Sequence, residues 1–500
     1  MDRIVIVDNL KDIRENMNKN IGVNAILNTI RSCMALLFPL ITYPYAARVL
    51  GVANLGKINY GNSIVVYFSL IAALGINTYS VRTGSRVRDN KEKITIFSSQ
   101  IFSINLVTTF ISYILLITVV IFVPQFKPYR TLILIQGISF ILTTFGVDWI
   151  NTIYEDYYIV TIRSLLSYVV GVGLLFIFVK NQNDYYKYAI IQLAPAFITA
   201  AMNWFYCKRY VKIKITKKLN LGKHIKSLLT FFANAVAVQI YVNIDTTMLG
   251  WMKGDYAVGL YAMSVKIYTI IKNILLSIYT VTIPRLSHNF GIGDYTAYKK
   301  LMTKVSSTIM LLLLPAGFGI IAVADEIITL IGGQEYSSAT LSLQILGIAL
   351  IFAIFGGLIT AVLNVSTGRE SENLKATLIG ASLNAGLNII VIPKYSQNGA
   401  AFTTLIAELI VFLFCFIRYP EKSRFIDFKQ IGKNLLHGII GSASIIIISI
   451  LFHRLQLNIF ARLLFIVGTS MVVYVLELLA LRNDIVIEAF AKMKGKYLNK

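Results

Sequence analysis

Two basic residues stand inside long apolar stretches of this 500-residue sequence, and hydrogen-bonding side chains recur around them. Arg31 follows Asn24 and Asn28. At about 100° per residue both amides lie within about 60° of it on a helix, and Thr42 falls on the same stripe. Lys266 precedes Asn273 and Ser277 by seven and eleven residues, hence on nearly the same face. Lys272 points roughly 120° away from Lys266. Gln239, Asn243 and Asp245 lie in the preceding apolar stretch, Asn384 and Asn388 in a later one, and Glu408 near the middle of the next. A charge at mid-membrane costs about 2.5–3.5 kcal/mol even on the lenient insertion scale, so each calls for a polar cavity or a partner. The set suits a water-filled cavity with a cationic floor for an anionic, hydrogen-bonding ligand. Arg31, Lys266, Lys272 and Arg48 would supply the cations, and Asn24, Asn28, Asn243, Gln239 and Asn273 the polar wall. Asp245 and Glu408 are candidates for ion coupling. Plainer readings stand beside these. Asn, Gln and Ser commonly hydrogen-bond between membrane helices. Lys272 would pair with a carboxylate, Asp245 would partner Arg31 or Lys266, and Glu408 would tether two helices.

The elements that must position these residues are membrane-spanning helices. Hydrophobic residues make up 56% of the chain and charged residues 14%, with a mean hydropathy of +0.69. A soluble domain carries about 25% charged residues. This composition cannot cover a water-facing surface, and it excludes disorder. A spanning helix needs about 20 mostly apolar residues. Fourteen such runs are read at 22–43, 58–79, 96–121, 131–149, 159–179, 188–206, 227–248, 258–283, 303–323, 339–363, 376–393, 399–417, 434–452 and 462–481. They are too long for barrel strands and do not alternate. Prolines at 39, 195 and 315 fall in these runs, Pro44 closes the first, and all four predict bends.

The net charge of +23 first suggests a polyanion in solution. Its distribution gives another answer. With the N-terminus inside, 34 of the 47 Lys and Arg fall in or next to inside segments and 10 in or next to outside ones, leaving Arg31, Lys266 and Lys272 deep within runs. That asymmetry is the topology signal of a membrane protein with both termini in the cytoplasm, and dispersed basic loops give no nucleic-acid module. The longest basic linker, 207–226, holds eight Lys and Arg. It divides the chain into a lead-in (1–21), a six-helix lobe (22–206), the linker, a second six-helix lobe (227–417), two further helices (418–481) and a basic tail (482–500). Six is even, so the lobes would repeat in parallel about the membrane normal, with a substrate path between them. The lead-in is too polar for a signal peptide and reads as a cytoplasmic amphipathic segment.

Cys33, Cys207 and Cys415 are odd in number and far apart, which argues against a disulfide framework or a zinc site. No phosphate-binding GxxxxGK[ST], HExxH or GxSxG motif occurs, and the outer loops are short. No cofactor or metal is expected.

Three stretches resemble the polysaccharide flippases (Wzx-like proteins) of the multidrug/oligosaccharidyl-lipid/polysaccharide exporter superfamily. They are PLITYPYAARVLGVANLGKINYGNSI (39–64), DTTMLGWMKGDYAVGLYAMSVKI (245–267) and IPKYSQNGAAFTTLIAEL (392–409). Two positions depart from the family pattern: Ser396 and Tyr154 stand where glycine is usual. The resemblance implies an all-α, two-lobed, V-shaped bundle working by alternating access. It implies transfer of an undecaprenyl-diphosphate-linked oligosaccharide repeat unit from the inner to the outer leaflet of a bacterial cytoplasmic membrane, for capsule, O-antigen or other surface polysaccharide. Energy would come from a proton or sodium gradient or the membrane potential, and a polysaccharide polymerase and chain-length regulator are the implied protein partners. Two alternatives remain: a cation-coupled multidrug or small-molecule exporter of the same superfamily, and a membrane-embedded glycan polymerase or ligase.

Overall fold

The computed structural model describes residues 21–419, 422–488, 490 and 491, and the side chains of 21–33, 35–37, 422 and 423 lie outside that description. Residues 1–20 of the lead-in, residues 492–500 of the tail, and the side chains of Arg31, Asn24 and Asn28 are therefore outside the described residues. Among the described residues every regular element is helical. The chain divides into two compact units, residues 1–239 and 240–500.

The first unit contains α1 (Ile21–Ala73), α2 (Ile76–Gly84), α3 (Lys91–Phe122), α4 (Arg130–Gly146), α5 (Asp148–Ile153), α6 (Tyr157–Phe178), α7 (Tyr185–Ile191) and α8 (Ala194–Tyr206). The division falls within α9 (Leu221–Lys253). The second unit continues with α10 (Asp255–Gly291), α11 (Tyr295–Ala322), α12 (Ala324–Gly332), α13 (Thr340–Gly357), α14 (Glu370–Arg418), α15 (Lys422–Phe425), α16 (Phe428–His453) and α17 (Ile459–Ala480).

Twelve helical segments are long and apolar enough to cross a membrane, against the fourteen runs expected. The difference has a local cause. The first two runs are joined in α1, broken only at Gly51 (φ 74°, ψ 173°). Runs eleven and twelve are joined in α14, broken only at Ser396 (φ 51°, ψ −132°). One residue at positive φ interrupts the helical ladder where a loop was expected. At the second break, a Cβ on Gly399 would lie 2.8 Å from the Val391 carbonyl oxygen, so the two limbs approach backbone to backbone and glycine is required. Run six departs in the opposite sense. It is split between α7 and α8, and Pro195 occupies the first turn of α8. There its missing N–H is not needed, so it starts a helix where a bend was expected.

In the first unit α1 packs against α3, α4 and α6, burying Ala46, Ala47, Leu50, Leu55 and Ile58. The basic linker is strapped to this unit. Cys207 and Val211 join the apolar cluster of Phe97, Ile101, Phe102 and Trp149. The backbone N–H groups of Lys214 and Thr216 donate to the hydroxyls of Ser99 and Ser103 at 3.1 and 2.9 Å. The fully buried His224 bridges Tyr79 Oη (2.7 Å) and Gln100 Oε1 (3.1 Å). The linker's charges thus face water from a backbone fixed on α3. In the second unit α14 packs on α13, α16 on α11 and α17, and α10 on α13.

Candidate functional site

The second unit holds two adjoining polar networks among its long helices. The first centres on Asp245 of α9, which is 4% exposed. Its Oδ1 accepts from Asn388 Nδ2 at 2.6 Å. Its Oδ2 accepts from Tyr261 Oη at 2.8 Å and from Thr404 Oγ1 at 2.6 Å. Asn388 also donates to Asn384 Oδ1 (2.6 Å), and its own oxygen accepts from Thr403. A carboxylate buried this deeply must have its lone pairs answered inside the protein, because hydrocarbon supplies no donors. The helices allow it. Asn384 and Asn388 are one turn apart on the first limb of α14, Thr403 and Thr404 lie just past the Ser396 break on the second limb, and Tyr261 lies on α10. The break and the close packing at Gly399 bring both limbs to the same carboxylate.

The second network lies further along the same limb of α14. Lys272 Nζ donates to Glu408 Oε1 at 3.0 Å and to Tyr268 Oη at 3.1 Å, and sits 5.3 Å from the centre of the Tyr268 ring. Glu408 is 6% exposed. Tyr261 and Tyr268 are seven residues apart on α10, and Thr404 and Glu408 four apart on α14. Their spacing puts both networks on one seam between these helices. The Tyr241 hydroxyl is buried, and its ring abuts Gly380.

The other expected site residues are spread more widely. Lys266 is half-buried on α10, and Gln239 and Asn243 are half-buried on α9. Asn273 is exposed, and Arg48 is exposed three residues before the Gly51 break. Lys272, expected as a cation for ligand, has its ammonium in an ion pair with Glu408. Asp245, expected beside Arg31 or Lys266, accepts from three neutral donors.

Arg31, Lys266 and Lys272 were the basic residues expected within runs; Arg163, Lys304 and Arg462 also fall inside the bounds given, and Arg163 is the most buried of these three. Arg163 lies in the second turn of α6, 3% exposed, with Nη2 2.8 Å from Asp148 Oδ1. Asn203 also donates to that oxygen at 2.7 Å and accepts from Asn151 at 2.8 Å. Its position near the start of run five led to its being counted with the loop. Tyr261 and Thr404 were also missed as ligands to Asp245, and Thr403 as the donor to Asn388, although all three stand in the stretches that carry the family resemblance. Tyr, Thr and Asp are common enough that only the folded contact singles them out. Among the described residues no group of three His, Cys, Asp or Glu side chains is placed to hold a metal.

The family described as "Polysaccharide biosynthesis protein" matches residues 19–290, more than half of the chain. The chain belongs to this family. The MatE family also matches over residues 230–390. The "Putative O-antigen transporter" of Escherichia coli (strain K12) is 24% identical over 402 residues, covering 79% of this chain and 96% of that protein. Among solved structures, "Lipid II flippase MurJ, inward closed conformation" is similar with a TM-score of 0.74 at 18% identity, covering 92% of this chain and 100% of that one. An inward-facing multidrug resistance MATE transporter of the MOP superfamily follows at a TM-score of 0.59 and 16% identity, covering 81% and 97%. At these identities the likeness shows the fold: an all-helical, multi-pass membrane protein of the MurJ and MATE type. Two of the family-like stretches meet in the Asp245 network, which joins Asp245 and Tyr261 of one to Thr403 and Thr404 of the other.

Proposed function

We propose that this protein is a lipid flippase. It would carry an undecaprenyl-diphosphate-linked oligosaccharide from the inner to the outer leaflet of the cytoplasmic membrane, for surface-polysaccharide assembly, and would carry out no covalent chemistry itself. The observation that carries this reading is the polysaccharide biosynthesis match over 19–290 in a chain whose long elements are apolar helices. The likeness to an O-antigen transporter of Escherichia coli in sequence, and to the lipid II flippase MurJ in fold, points the same way. The diphosphate is assigned to Arg31, Lys266 and Arg48. A guanidinium offers a planar fork to phosphate oxygens and an ammonium a point charge. Asn24, Asn28, Asn243, Gln239 and Asn273 are assigned to the sugar hydroxyls. Lys272 serves Glu408, and Asp245 and Glu408 couple the cycle to a proton or sodium gradient or to the membrane potential. Lobes at 22–206 and 227–417, cytoplasmic termini, and work alongside a polymerase and a chain-length regulator complete the reading. The test is complementation of glycan export by Arg31→Ala and Lys266→Ala at normal expression. Loss of export is expected, and full export by both variants would remove the cationic site.

The MatE match and the buried carboxylates favour a second reading, export of a small cationic molecule. Drug resistance on expression, with no glycan phenotype, would select it.

A further inference from the structure

A cleft of about 770 Å³ opens in the second unit where the first turns of α11 meet Arg424–Gln430 and residues 484–488. Its acids are already engaged. Asp427 caps α16, accepting from the backbone N–H groups of Lys429 and Gln430 at 3.1 and 3.2 Å. Asp484 meets Lys433 at 3.3 Å. Glu488 accepts from the Lys304 ammonium on both oxygens at 2.8 Å. Lys299 and Lys300, on the same stretch of α11, have no carboxylate partner among the described residues. Arg424 lies over the Tyr295 ring at 4.2 Å and within 5.6 Å of Phe425. Phe425 in turn packs edge-on against Tyr298 at 5.1 Å. The aromatic floor fixes the guanidinium plane while the lysines project into the cleft.

The depth of the cleft is also set by the helix. α11 has 28 residues, so at about 1.5 Å per residue it is roughly 42 Å long. A hydrocarbon core is about 30 Å thick. The apolar run begins at 303, so the turns carrying Lys299 and Lys300 emerge among the headgroups. Basic pockets at helix ends on the cytoplasmic side are suited to anionic headgroups.

We propose that this cleft binds a phosphate group, presented by the headgroup of an anionic membrane lipid, at a site separate from the transported cargo. The same chemistry is available from free phosphate in water, and the test distinguishes the two sources. Short-chain phosphatidylglycerol, short-chain phosphatidylcholine and inorganic phosphate are each titrated into the full-length protein in neutral detergent at low salt, and thermal unfolding is followed. Phosphatidylglycerol is expected to raise the unfolding midpoint saturably, and phosphatidylcholine is expected to leave it unchanged. Lys299→Gln/Lys300→Gln moves the phosphatidylglycerol titration midpoint up by about thirtyfold, from two charges at headgroup depth. Lys299→Arg/Lys300→Arg keeps it, and so does Lys212→Gln/Lys217→Gln in the linker. An equal rise with inorganic phosphate, lost in the Gln double variant, would keep the site and assign it to soluble phosphate. Equal midpoints for wild type and the Gln variant, an equal rise with phosphatidylcholine, or equal weakening by the linker variant would overturn the proposal. None of these outcomes depends on whether the protein moves glycans.

Discussion

One pair of carboxylates in each unit is held in a different place, at helix ends in the first and in mid-helix in the second. In the first, Asp148 opens α5 and Asp156 immediately precedes α6, so both acids stand at helix boundaries. Asp148 is fixed by Arg163 and Asn203, and Asp156 by the hydroxyls of Tyr206 and Tyr210. Burial and the Asp156 carboxylate raise the Tyr210 phenol well above its usual range, which keeps it a donor. These contacts close the ends of α5, α6 and α8. In the second unit Asp245 and Glu408 lie inside helices of 33 and 49 residues. Their partners come from helices that close no turn. Acids at helix ends finish a fold near water. Acids in mid-helix must be justified by their neighbours or by what they bind.

Six variants break or sharpen that contrast. Asp148→Ala leaves the buried Arg163 guanidinium without its carboxylate. The Asp148 side chain is half exposed, so the cost is at the lower end for a broken pair, about 3 kcal/mol of stability, read as a fall in the thermal midpoint, with export lost only in proportion to folded protein. Glu408→Gln removes the partner of Lys272, whose side chain is 25% exposed. The cost is therefore at the lower end, about 3 kcal/mol. The double variant Lys272→Met/Glu408→Met should recover most of that stability. If it also restores export, Glu408 is a tether and not a coupling group. Asp245→Asn keeps the shape, and the Tyr261 and Thr404 hydroxyls can reverse to accept, so stability should fall by only about 1 kcal/mol while export collapses. Unchanged export would reduce the mid-helix network to a structural role. The smallest effect is expected at the helix breaks. Ser396→Gly frees a positive-φ residue and should stabilise by about 1 kcal/mol, whereas Gly51→Ala should destabilise by a similar amount.

Much of this was legible in the sequence. Twenty-residue apolar runs and the Lys/Arg asymmetry announce spanning helices, and the mid-run polar residues Asp245, Lys272, Asn388 and Glu408 stand out by their cost in lipid. Their pairing was not legible. Phasing along one helix shows that Lys272 leaves the Lys266 face, but which carboxylate it meets depends on a residue 136 positions away. The joined helices were missed because Gly51 and Ser396 sit in short polar stretches that read as loops. At Ser396 the departure from the usual glycine coincides with a positive φ, so the sequence did mark a strained position without showing its geometry.

The most direct test is reconstitution of the purified protein in vesicles carrying a fluorescent undecaprenyl-diphosphate oligosaccharide, with quenching of the outer leaflet followed in time. The account predicts transfer between leaflets well above that in empty vesicles, slowed about tenfold or more by Lys266→Ala through loss of one charged phosphate contact. Transfer no faster than in empty vesicles, or glycan lengthening without transfer, would contradict it.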